Sequence, residues 1–101
     1  MVKHVILWTL KDEYSDAQKS EIKAGIKEGL EGLKGQIPGL AEIKVNTEPL
    51  ASSNCDLMLD SLFENVEALK GSSVNPLHQA VANEKVRPFV KIRSCFDFEE
   101  R

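Results

Sequence analysis

The sequence is poor in the features that announce a chemistry. It has no G-x-S-x-G elbow, no P-loop, no dinucleotide fingerprint and no cluster of metal ligands at local spacing. Its two cysteines, Cys55 and Cys95, lie far apart in the chain. They read as reduced thiols of a cytoplasmic protein rather than as a disulfide or metal pair. Neither a metal nor a cofactor is expected. There is one Trp, one Tyr and two His. No apolar run approaches the roughly 20 residues needed to span a bilayer. The N-terminal stretch lacks a small-residue cleavage site and alternates like a strand, so neither a signal peptide nor a membrane partner is expected. Basic excess is also missing. The formal net charge is −3, which disfavours binding to nucleic acid through phosphate.

What is present suits one folded domain over residues 1–101. The chain is 42% hydrophobic and 29% charged, which is globular rather than disordered. A domain of this length keeps a large share of its surface and gains from association.

The stretch from Phe63 to Phe89 is densest in local signals. Asn65 is placed to cap a short helix over Val66-Glu67-Ala68-Leu69. Gly71-Ser72-Ser73 breaks it, and Asn75-Pro76 starts another, with Asn as cap and Pro at the first turn. Arg87-Pro88 closes that second helix.

The rest of the chain reads in order. Residues 2–10 are β-branched and aromatic on both faces. Val2, His4, Ile6, Trp8 and Leu10 share one side; Val5 and Leu7 share the other. A strand apolar on both faces belongs in the middle of a sheet. Ser15-Asp16-Ala17-Gln18 is a capping box opening a helix to about Lys34, with Ile22, Ile26, Leu30 and Leu33 on one face. Gly25, Gly29 and Gly32 beside that stripe either allow close approach or are simply tolerated. Pro38-Gly39 follows the helix. Residues 41–47 alternate as an edge strand, and 48–54 form a loop. Residues 55–63 are a second central strand, in which Asp60 needs a Lys or Arg partner or has a chemical role. Residues 89–98, opened by Pro88, form a last edge strand.

The order β-α-β-β-α-β is the split βαβ, ferredoxin-like α+β pattern with a four-stranded antiparallel sheet. Strand order 4-1-3-2 matches the two doubly apolar strands. Helices would cover one sheet face, leaving Val5, Leu7, Met58 and Leu62 bare. A second copy, sheet against sheet and with the edge strands adjoining, covers them economically.

The ordered set H-V-I-L-W-x-L-K-D-E, I-P-G-L, D-L-x-L running into F-E-x-V-E-A-L, and N-P-x-H followed by V-R-P resembles the stress-responsive A/B barrel (Dabb) domain over residues 2–98. The resemblance implies a homodimer whose two sheets close into a dimeric α/β barrel, with a small-molecule pocket between sheet and helices. Most members of that family have no assigned activity. Some plant members are cofactor-free polyketide cyclases, and related dimeric barrels include cofactor-free monooxygenases. By this resemblance His78 stands at the cyclases' catalytic histidine and His4 at a second pocket histidine. Ser72 stands at the cyclase tyrosine, and Asn75 where the family usually has histidine. Serine is no equivalent proton donor to a phenol.

The expected site is therefore His78 with His4 as acid–base residues. The expected pocket wall is Ile6, Trp8, Ile22, Ile26, Leu57, Leu59, Phe63, Ser72, Val81 and Phe96. Three functions follow: a homodimer binding a small apolar molecule, a cofactor-free enzyme using His78, or a structural stress protein without a ligand. RNA binding would need aromatics among basic residues on the open sheet face. Val5, Leu7, Met58 and Asp60 stand there instead.

Overall fold

A computed structural model describes all residues from Met1 to Arg101. Strand β1 (Val2–Leu10) leads to helix α1 (Asp16–Glu31), then β2 (Leu40–Asn46) and β3 (Leu57–Phe63). Helices α2 (Val66–Val74) and α3 (Pro76–Val81) follow. A π-helical turn over Ala82–Val86 and a 3-10 turn over Arg87–Phe89 lead into β4 (Val90–Glu99). The four strands form one antiparallel sheet in the order β2-β3-β1-β4. This is the ferredoxin-like βαββαβ fold. The two strands apolar on both faces are the central ones, as the residues require. No helix is long and apolar enough to cross a membrane.

Local chemistry accounts for the helix boundaries. Ser15 and Gln18 form the reciprocal capping box, with Ser15 Oγ accepting from the Gln18 N–H at 3.2 Å and Gln18 Oε1 from the Ser15 N–H at 2.8 Å. α1 stops at Glu31, short of Lys34, with Gly32 as its C-cap. Asn65 caps α2 by accepting from the Ala68 N–H at 2.8 Å. Asn75 caps α3 by accepting from the Leu77 N–H at 2.9 Å.

The core lies between the sheet and the helices. Ile26, Leu30 and Leu33 meet Ile6, Trp8, Leu10, Val45, Leu57 and Leu59 there. Gly29 faces Val81, whose Cγ1 would lie 3.0 Å from an added Cβ, and this lets α1 and α3 approach closely. Gly25 meets nothing comparable. Gly39, at φ +79°, turns the chain into β2, and a Cβ there would collide with the methyl of Ala68. α1 is also tied to the β2 edge by charge. Glu31 Oε2 accepts from the Val45 N–H at 2.9 Å and from Lys27 Nζ at 2.7 Å, and Lys27 Nζ donates to the Val45 carbonyl at 2.8 Å.

The opposite sheet face is bare. Val5, Met58 and Leu62 are half-buried there, and Leu7 is 38% exposed. Ile92, paired with Thr9, is 52% exposed, and Phe96, paired with Val5, is 68% exposed. Phe96 was expected on the helix side, and the register places it on the open face. A slip in the β1–β4 ladder between Thr9 and Leu10 lets Val90 turn toward the core, while residues beyond it alternate in the opposite sense. Asp60 also belongs to the open face. It accepts from Lys3 Nζ at 2.8 Å across the ladder, so its partner is a neighbouring-strand lysine. That hydrogen bond holds the Lys3 ammonium above its ordinary pKa.

Candidate functional site

The helices leave one side of their sheet face uncovered. Helix α1 lies chiefly over β2 and α2 touches β1, β2 and β3, while β4 lies outside them at the sheet edge. Between this floor and α2–α3 lies a cavity of about 760 Å³. Hydrophobic side chains make up 17 of its 27 lining residues, so its first affinity is for apolar matter. Ile6, Trp8, Leu59 and Phe63 form the sheet wall, Leu30 of α1 and Leu33 just after it a second wall, and Val66, Leu69 and Val86 the roof.

The expected wall residues divide. His4, Ile6, Trp8, Leu59, Phe63, Ser72 and His78 line the cavity. Ile26 and Leu57 are instead sealed in the core, and Ile22 and Val81 pack against that core. Helical and strand periodicity told which face these four occupy, but not how far along the element the cavity begins. Phe96 lies on the other side of the sheet. Ile22 borders a separate groove of about 400 Å³ with Tyr14, Gln18, Lys85 and Phe89.

Each histidine is held through Nδ1. His78 Nδ1 lies 2.9 Å from the carbonyl oxygen of Ser72. A carbonyl only accepts, so Nδ1 carries the hydrogen, and in the neutral ring Nε2 keeps the lone pair. The capping turn fixes this contact, since the same carbonyl accepts from the Asn75 N–H at 3.2 Å. His4 Nδ1 is hydrogen-bonded to Asp97, its cross-strand partner on β4. The His4 ring stands edge-on to Phe63 with centroids 6.2 Å apart. Beneath it, buried Ser61 donates to the His4 carbonyl at 2.9 Å.

Two further residues join His4. Cys95 is two positions from Asp97 on β4 and so shares its face. Its Sγ lies 3.8 Å from His4 Nδ1 and 3.5 Å from Asp97 Oδ1. Partial desolvation first, and the Asp97 carboxylate second, push the Cys95 thiol above its ordinary pKa, so the neutral thiol is favoured. Cys95 and Asp97 both line the cavity. The signal for them in the sequence was the alternation that placed Cys95 and Asp97 together. What was missing was the antiparallel register that sets that face beside His4.

No curated protein matches the sequence. Solved structures do. A dimeric protein of unknown function and ferredoxin-like fold from Bacteroides fragilis is 26% identical, with a TM-score of 0.90 over 98% of this chain and 95% of that one. A Dabb family protein from Mesorhizobium loti is 15% identical, with a TM-score of 0.74 over 99% of this chain and 96% of that one. The hydroxynitrile lyase of Passiflora edulis is 19% identical, with a TM-score of 0.71 over 96% of this chain and 90% of that one. The last two likenesses are of fold alone. The model of the stress-responsive A/B barrel domain matches residues 2–100. With nearly the whole chain matched and the fold in agreement, the chain belongs to the stress-responsive A/B barrel domain (Dabb) family.

Proposed function

We propose that the protein is a homodimer that binds a small, mostly apolar molecule in the cavity between its sheet and helices. The observation that carries this reading is the cavity itself. Its size of about 760 Å³ suits a ligand of drug-like dimensions, and its wall is apolar with a few polar groups. Those polar groups, His4 with Asp97 and His78 with the Ser72 carbonyl, suit a ligand carrying a hydroxyl or carbonyl. Dimerisation would bury the bare face through Val5, Leu7, Met58 and Leu62, with Ile92 and Phe96 added from β4. The adjoining edge strands β2 and β4 would complete the contact. The dimeric description of the Bacteroides fragilis relative supports the assembly.

A second reading is favoured by the tautomer of His78. With its Nδ1–H engaged, Nε2 is free to accept a proton from a bound ligand and return it. The protein would then be a cofactor-free enzyme acting on the same class of molecule. Ser72 stands where a phenol would assist in the cyclases, so the acid partner would have to be His4 or the ligand itself.

Trp8, the only tryptophan, reports on both readings because it lines the cavity. Titration with small aromatic ketones and phenols should change its fluorescence saturably, at one ligand per chain. A response that stays linear with concentration for every compound would overturn the binding reading. For the second reading, turnover of a bound compound should fall in His78→Ala. Unchanged turnover would remove His78 from the chemistry.

A further inference from the structure

Three different donor atoms converge on the cavity wall at the β1–β4 ladder. His4 Nδ1, Cys95 Sγ and an Asp97 carboxylate oxygen all lie within 4.8 Å of one another. None of them is near another in sequence except Cys95 and Asp97, yet the β1–β4 register brings them together. His4 is directly opposite Asp97, and Cys95 is opposite Ile6, the next residue on His4's face of β1. We propose that these three residues form a divalent-metal site of the zinc type, with its open coordination position toward the cavity.

The geometry supports that assignment. Zinc binds thiolate at about 2.3 Å and imidazole or carboxylate at about 2.0–2.2 Å, in a tetrahedron. Those bond lengths place sulfur roughly 3.6 Å from each of the other two donors. The observed separations are 3.8 Å to His4 and 3.5 Å to Asp97. Only the His4–Asp97 pair, now in hydrogen-bond contact, has to part. Asp97 is free to swing, because its side chain is 42% exposed.

The donor set also selects the ion. A thiolate with an imidazole and a carboxylate suits zinc and excludes magnesium or calcium, which take oxygen. Charge balances as well. One thiolate and one carboxylate neutralise a divalent cation, so the loaded site carries no net charge beside an apolar cavity. On binding, the Cys95 thiol releases its proton to solvent. His4 would offer the Nδ1 lone pair to the metal, with its ring hydrogen on Nε2. With three protein ligands, the fourth position is left to water or to an oxygen of a cavity ligand, the arrangement of an open rather than a structural site. The site does not depend on what else fills the cavity.

The test uses the untagged, metal-free protein, titrated with Zn²⁺ and separately with Co²⁺. The wild type should retain one Zn²⁺ per chain through gel filtration. With Co²⁺ it should show a thiolate-to-metal charge-transfer band in the near ultraviolet. Cys55→Ala should keep both signals, and Cys95→Ala should lose both. Asp97→Asn and His4→Gln should weaken Zn²⁺ by at least the roughly tenfold to hundredfold that even outer-shell changes cost. Cys95 and Asp97 are exposed, so their variants should melt with the metal-free wild type, and Asp97→Asn carries the test if Cys95→Ala does not fold. Equal Zn²⁺ uptake by wild type, Cys95→Ala and Asp97→Asn would overturn the site. So would loss of the Co²⁺ band in Cys55→Ala rather than in Cys95→Ala, or no uptake by the wild type.

Discussion

Replacing Phe96 by serine should break the dimer while leaving the fold intact. Phe96 is 68% exposed on the bare sheet face, with the Phe98 ring 5.6 Å away. A phenylalanine buries roughly 150–250 Å² when covered, so about 140 Å² of this one is left for a partner to cover. At about 25 cal/mol per Å² that is about 3.5 kcal/mol per protomer. A two-fold axis counts it twice, giving an upper limit of about 7 kcal/mol. Even a third of that weakens the dimer roughly fiftyfold. Sedimentation velocity over a concentration series reads the shift directly, and circular dichroism with thermal melting at high concentration checks the fold. Phe96→Ser should move the monomer–dimer midpoint to higher concentration by at least that factor. A variant as dimeric as wild type would refute the open face as the interface. A wild type that sediments as a monomer at high concentration would refute it more simply.

Gly39→Ala should destabilise the fold by about 2–4 kcal/mol, from the positive φ and the collision with Ala68 together. A melting-temperature drop of more than about 10 °C is expected. Glu31→Gln should cost about 1 kcal/mol at neutral pH. Burial alone would raise the Glu31 pKa, but the Lys27 hydrogen bond and the Val45 N–H outweigh it and lower the value. Because the folded pKa lies below the unfolded one of about 4.3, the stabilisation is complete above that pH and fades as pH falls through the folded value. Denaturant melts of wild type and Glu31→Gln should therefore converge only in acid. Ser61→Leu projects from the buried cavity floor, where Ser61 is 1% exposed. It should fill cavity space, lose the hydrogen bond to His4 at a cost of about 1 kcal/mol, and weaken ligand binding measured through Trp8.

Much of this fold is readable in the residues alone. β1 and β3 are apolar on both faces, and that alone placed them at the centre of the sheet. Ser15-Gln18, Asn65 and Asn75-Pro76 marked helix starts that the structure realises bond by bond. Phe96 was misplaced because alternation fixes which residues share a face, not which way the face points. In β4 the more apolar set, Ile92 and Phe96, turns away from the helices onto the bare face. The cavity was legible as a place but not in extent. His4, Trp8, Leu59 and Phe63 border it, while Ile26 and Leu57, on the same faces, are packed solid. The grouping of His4, Cys95 and Asp97 was invisible because the two ends of the chain supply it, and only the β1–β4 register brings them together.

The most direct test of the cavity as the functional site is a pair of amide-correlation NMR spectra, with and without a saturating small aromatic ligand. The shifted resonances should map to His4, Ile6, Ser61, Ser72, His78 and Val86, around the space between sheet and helices. Shifts confined to Tyr14, Gln18 and Ile22 at the outer groove, or to Leu7 and Phe96 on the open face, would contradict the account.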